Sequence, residues 1–100
     1  MNKLNILIVG VGGQGSLLAS RVLGAYFSAK YPEVKLSEVH GMSQRGGSVV
    51  TYIRAGNSVS SPLVAEGEAD LIISFELLEG LRYISYLKPD GRLITSTQRI

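Results

Sequence analysis

The chain has 100 residues, enough for one domain that buries roughly two-thirds of its unfolded surface. Its composition is 45% hydrophobic, and ten basic residues against eight acidic give a net charge of +2. This excludes a disordered chain, and no Lys/Arg cluster tracks a nucleic-acid backbone. With no cysteine and one histidine, the chain has no disulfide, no thiolate metal site and no iron–sulfur ligands of its own. No apolar run approaches the roughly 18 residues of a membrane span, and the N-terminus lacks a signal-peptide cleavage site. A soluble, cytoplasmic domain is expected.

Leu4 to Val9 is a nearly continuous apolar run, the pattern of a strand buried on both faces. The stretch GVGGQGS follows, Gly10 to Ser16. From Gly15 the period changes to helical, with Leu18, Val22, Ala25 and Ala29 as the expected apolar stripe. Pro32 predicts the end of that helix near Lys30. Val34 to Val39 alternates as a second strand, and His40 to Gly47 is a polar, glycine-bearing loop. Ser48 to Arg54 is a third strand, after which Gly56-Asn57 predicts a hairpin that returns Ser58 to Ser60 antiparallel. Ala69 to Phe75 is another buried strand. Glu76 to Leu87 predicts a helix through Leu77, Leu81, Ile84 and Leu87, with Gly80 as its weak point. Pro89-Asp90-Gly91 predicts a turn before a last strand, Arg92 to Thr97. Alternating strands and helices mean α/β: a Rossmann-like open mixed sheet with flanking helices, the hairpin making it mixed. The sequence stops soon after a strand, so residues 1–100 are expected to be the N-terminal part of a larger domain.

Gly10, Gly12 and Gly15 fit G-x-G-x-x-G between a strand and a helix. In that reading Gly10 allows a tight turn, Gly12 close approach by a ligand, and Gly15 close helix packing. Gly13 and Gln14 complete the loop, whose helix N-terminus offers free N–H groups to an anion. The P-loop reading fails because Ser16-Leu17 stands where Lys-Ser or Lys-Thr is required. A helix N-terminus supplies only ~0.3–2 kcal/mol toward an anion. Micromolar binding needs about 8 kcal/mol, so other residues must contribute. Glu38 follows Gly15 by 23 positions, near the ~20 at which a dinucleotide fold places its ribose acid. Arg45 could then meet a 2′-phosphate. A bare strand-to-helix corner explains the glycines equally well.

The second loop, SEVHGMSQRGGS from Ser37 to Ser48, is expected at the same sheet edge as the first. Arg45 suits a ligand's phosphate or carboxylate or a partner's acid, and also a solvated surface position. Glu38 suits a ribose or a basic neighbour, and His40 a capping role more readily than proton transfer. Ser43 and Gln44 belong to the same stretch as ligand- or partner-binding candidates, while Gly46 and Gly47 admit a close partner or a sharp strand start. The aromatic residues Tyr26, Phe27, Tyr52, Phe75, Tyr83 and Tyr86 read as core and rim.

Together VGVGGQG, SEVHGMSQRGGSV and GEADLIISFELLEGLRYISYLKPDGRLI resemble the gamma-type subunit or domain of the 2-oxoacid:ferredoxin oxidoreductases (the pyruvate/ketoisovalerate oxidoreductase family). The nearest likeness is to the beta subunits of the indolepyruvate enzymes. The likeness spans nearly the whole chain but only half of the family's domain. It implies a subunit of a system that oxidatively decarboxylates 2-oxoacids such as arylpyruvates, acylates coenzyme A and passes electrons to ferredoxin. It implies thiamine diphosphate and iron–sulfur clusters in the complex. With no cysteine and no Gly-Asp-Gly stretch here, both belong to a larger partner subunit, through which ferredoxin is reached. This chain is then expected to carry no cofactor, no catalytic residue and no metal, and to be inactive alone. Its ligand- or partner-binding residues would be Gly10, Gly12, Gly13, Gln14, Gly15, Glu38, His40, Ser43, Gln44, Arg45, Gly46 and Gly47. The alternative is a Rossmann-type NAD(P)-binding module.

Overall fold

The computed structural model describes residues 3–11, 14–40, 48–57, 61, 63–75 and 77–95. In chain order it contains β1 (Lys3–Val11), α1 (Gln14–Ser28), β2 (Glu33–His40), β3 (Ser48–Gly56), β4 (Ala69–Ser74), α2 (Leu77–Arg82), a 3-10 turn (Ile84–Tyr86) and β5 (Leu87–Thr95). The five strands form one sheet in the order β2-β3-β1-β4-β5. β3 runs antiparallel to both β1 and β2, whereas β4 pairs parallel with β1 and with β5. The sheet is open and mixed, as expected, but for a different reason. β3 itself inserts antiparallel between β1 and β2, and the hairpin segment Ser58–Ser60 lies outside the described residues.

Strand β1 carries the core because its two faces feed two apolar layers. Ile6 and Ile8 pack with Ile53 beneath α1, and Leu7 and Val9 pack with Val50, Tyr52, Val64 and Ile72 on the opposite face. Tyr83, Tyr86, Leu87 and Leu93 close that second layer. Tyr52 and Tyr83 have their hydroxyl pKa raised above the usual 10.0, mainly because burial disfavours the phenolate.

Helix α1 buries a different stripe from the one its spacing suggests. Ala19, Leu23 and Phe27 face the sheet, while Leu18 and Val22 are 64% and 59% exposed. The sequence holds two apolar stripes one position apart, and the inner one borders the small residues Ser20 and Gly24, both buried. A Cβ on Gly24 would stand 3.1 Å from Leu36 Cδ1, so this side of the helix can come closest to the sheet.

The second helix is shorter than its pattern predicts. α2 ends at Arg82, the chain tightens into the 3-10 turn, and Leu87 already belongs to β5. Its expected buried residues Leu77, Leu81 and Ile84 are exposed. The buried position is instead Gly80, whose Cβ would lie 2.9 Å from Ser74 Cβ. A glycine that costs helix propensity thus provides the packing surface. Pro89-Asp90-Gly91 is no chain reversal. It bulges within β5, where Ala69 faces Leu87 but Leu71 faces Arg92. Parallel strands make this possible, since β5 must arrive from the far side of the sheet rather than turn back. Residues 96–97 of the predicted last strand lie outside the described residues.

Candidate functional site

The four mutually parallel strands β1, β2, β4 and β5 all end on one edge of the sheet, and β3 begins there. Register aligns Gly10 of β1 with Val49 of β3, and Val49 with His40 of β2. The connections of residues 12–13 and 41–47 therefore leave from neighbouring strand ends. α1 starts at Gln14, so its N-terminal amides belong to the same edge. On the other side the Phe75 amide donates to the Val9 carbonyl at 3.2 Å, joining the end of β4 to this edge.

Among the expected site residues, Gly10 and His40 thus lie in one row across three strands, with Gln14 and Gly15 opening α1. Gly10 is a buried strand residue, and β1 continues through it to Val11. Gly12, Gly13, Ser43, Gln44, Arg45, Gly46 and Gly47 lie outside the described residues. Glu38 is exposed, opposite Thr51, which is opposite Ile8. It stands two residues short of the edge and two strand spacings, about 10 Å, from β1. A dinucleotide fold sets its ribose acid on the strand beside β1, and here β3 occupies that place. The spacing of Glu38 along the chain could not reveal the inserted strand.

A second polar cluster occupies the opposite edge, where β1, β4 and β5 begin. Arg54, Asn5, Asp70 and Lys88 come from the adjacent strands β3, β1, β4 and β5. The Asn5 amide N–H donates to Asp70 Oδ2 at 2.9 Å, and Asn5 Nδ2 donates to the Glu68 carbonyl at 3.0 Å. Arg54 Nε donates to Asn5 Oδ1 at 3.1 Å, and its Nη1 donates to the carbonyls of Ser61 and Leu63 at 3.2 and 2.9 Å. Lys88 Nζ lies 2.8 Å from Asp70 Oδ1, and that carboxylate raises the Lys88 pKa above 10.5. With Lys3 and Gly67 these residues line a cavity of about 260 Å³. The sequence reading missed this cluster. Its signal was present: Asn5 and Asp70 each interrupt an apolar strand near its start, at a cost that only hydrogen bonding offsets.

Among the described residues, no three His, Asp or Glu side chains are placed to hold a metal, and no helix is long and apolar enough to cross a membrane. An iron–sulfur cluster does not fit this chain, which offers no thiolate.

The sequence profile of the pyruvate ferredoxin/flavodoxin oxidoreductase family matches residues 5–100. The chain belongs to this family. It is 52% identical over its whole length to the indolepyruvate oxidoreductase subunit IorB of Pyrococcus horikoshii, covering 50% of that protein. The subunit of the same name from Archaeoglobus fulgidus is 43% identical over 98% of the chain, which covers 48% of it. The chain thus spans about half the length of the curated relatives it matches. Among solved structures, the pyruvate oxidoreductase subunit PORC of Thermotoga maritima superimposes with a TM-score of 0.70 at 24% identity, over the whole chain and 53% of that subunit. The gamma subunit of a keto/oxoacid ferredoxin oxidoreductase from Geobacter sulfurreducens gives 0.64 at 19% identity, over 95% of the chain and 51% of that subunit. These structures share the fold: a five-stranded mixed sheet with flanking helices.

Proposed function

We propose that this chain is the N-terminal part of a gamma-type, non-catalytic subunit of a thiamine-dependent 2-oxoacid:ferredoxin oxidoreductase acting on indolepyruvate or a similar arylpyruvate. The observation that carries this reading is the 52% identity to IorB along the entire chain. Thiamine diphosphate and iron–sulfur clusters supply decarboxylation and electron transfer in the larger partner subunit, which also meets ferredoxin. Coenzyme A takes the acyl group in that complex. This chain's share is a surface: the row of Gly10, Val49 and His40, the start of α1, and the loops that include Gly12, Gly13 and Ser43–Gly47. There Arg45 pairs with an acid of the partner or an anionic group of coenzyme A.

The test is affinity purification of the tagged full-length subunit from its native cell. A partner that binds thiamine diphosphate and iron–sulfur clusters should co-purify, and the complex should reduce a dye with an arylpyruvate and coenzyme A. The isolated chain should be colourless and inactive with the same substrates. Recovery of the chain alone from cells that express such an oxidoreductase would overturn the assignment. Titration with NADH or NADPH, followed by nicotinamide fluorescence, should show no binding in the low micromolar range, because β3 separates Glu38 from β1.

A further inference from the structure

The cavity at the amino edge is lined by three cationic side chains, Lys3, Arg54 and Lys88, and two carboxylates, Glu68 and Asp70. Lys88 and Asp70 neutralise each other at 2.8 Å. Among the described residues, the acceptors of Arg54 are all neutral: one amide oxygen and two backbone carbonyls. Those bonds fix the guanidinium in place without compensating its charge. Lys3, exposed at the start of β1, has no carboxylate within ion-pair distance among the described residues. Glu68 is committed in part to the Ala65 amide, which donates to its Oε1 at 3.3 Å. The cavity therefore presents more positive than negative charge, and with Nε and Nη1 of Arg54 bonded to protein oxygens the two N–H groups of its Nη2 are the ones left to meet an anion.

We infer that this cavity is a binding site for a small oxyanion, the carboxylate or phosphate group of a free metabolite, held between Arg54 and Lys3. The site is independent of the subunit assignment, because it lies on the opposite edge of the sheet from the loops that carry that proposal. Its walls come from four adjacent strands, so its shape is set by sheet register. Gly67 sits at a φ of 79°, with no atom within 4 Å of where a Cβ would be, and leaves its part of the wall open. The Lys88–Asp70 pair restricts the charge the ligand can bring: a cation would have to displace an ammonium already bonded.

The full chain, labelled for amide NMR, would be titrated separately with inorganic phosphate and with malonate at constant ionic strength. Saturable shifts at Asn5, Gly67 and Asp70, with a dissociation constant of about 1 mM or tighter for at least one probe, are expected. The tighter probe identifies the ligand group. Lys3→Gln changes an exposed residue and should weaken binding about tenfold. Arg54→Lys keeps the charge but loses the Nη2 donors that face the anion, and should weaken it by a similar factor. Arg21→Gln, on exposed α1, should titrate as wild type. Shifts that fail to saturate with both probes, or a Lys3→Gln chain that binds like wild type, would overturn the proposal. That second result would mean that only the adventitious positive charge of the chain is being read.

Discussion

The two edges of the sheet are built on opposite principles. At the amino edge, polar side chains leave the strands themselves and are held by hydrogen bonds: Arg54 to the Asn5 side chain, Asp70 to the Asn5 backbone amide and to Lys88. At the carboxyl edge, the residues aligned in register are Gly10, Val49 and His40, and the polar residues Ser43, Gln44 and Arg45 belong to a connection between strands. At the amino edge the bonded groups hold neighbouring strands together and leave Lys3 and Arg54 Nη2 to the cavity. Under the function proposed above, the carboxyl edge is where a partner or ligand meets the chain, and residues carried between strands can serve it without competing with the sheet. Removing a member of the bonded row Arg54, Asn5 and Asp70 should therefore register as lost stability, and substitutions at the carboxyl edge as lost association.

The largest loss is expected from Arg54→Ala. It leaves Asn5 Oδ1 and the carbonyls of Ser61 and Leu63 without their donor, so a loss of about 2–3 kcal/mol is expected. Thermal melting should fall by roughly 10–20 °C for a chain of this size. A shift of only a degree or two would mean that the polar row does not brace the sheet.

Gly80→Ala comes next. The new Cβ would press on Ser74 and Leu93, at 2.9 Å from Ser74 Cβ and 3.2 Å from Leu93 Cδ1. The resulting strain of about 1–3 kcal/mol should exceed the gain of up to ~1 kcal/mol in helix propensity. Urea unfolding should show a net loss, and a stabilised variant would mean that α2 can slide away from β4.

Arg45→Ala sharpens the contrast from the other edge. Melting should be unchanged, while affinity for the partner subunit falls, or the apparent KM for coenzyme A rises, about tenfold, ~1.4 kcal/mol. Arg45→Lys should recover only part of this, because an ammonium lacks the planar fork. A lowered melting temperature with intact assembly would reverse the roles of the two edges.

The smallest effect is alkaline. Folding raises the pKa of Tyr52, Tyr83 and Lys88, so each contributes stability that is complete below its unfolded value of 10.0 to 10.5 and is lost as pH rises through the folded value. Stability measured by urea melts should be level up to about pH 9.5 and decline above it. Tyr52→Phe should flatten that decline, and a slope unchanged in the variant would remove Tyr52 from the account.

Much of the architecture was legible because strand patterns are local. The Leu4–Val9 run, the Val34–Val39 alternation and the Ala69–Phe75 run each carry their own periodicity, and each became a strand. Helix faces were less legible. α1 holds two apolar stripes, and the choice between them was made by Ser20, Gly24 and the reach of Leu36 across the sheet, none of which periodicity weighs. Strand order was not legible at all. The insertion of β3 beside β1 depends on pairing between residues about 45 positions apart, and it removed the neighbour relation that made Glu38 a ribose acid. The carboxyl-edge candidates rest on their glycines and on the residue types between β2 and β3, and Gly12, Gly13 and Ser43 to Gly47 lie outside the described residues. The amino-edge cluster was missed because Asn5, Arg54 and Asp70 are scattered along the chain and meet only through the register.

The central place of β1 has a consequence for how the protein is made. This strand leaves the ribosome before the other four, yet its two neighbours are β3 and β4, the latter ending at Ser74. At about 5–20 residues per second, the ribosome needs several seconds to deliver both partners. During that interval Ile6, Leu7, Ile8 and Val9, all of which end essentially inaccessible to solvent, travel unpaired. The nascent segment has the apolar, β-prone, uncharged character that invites pairing with another chain. β2 and β3 can meanwhile zip into a hairpin of their own, which presents the free edge of β3 as the template that captures the waiting strand.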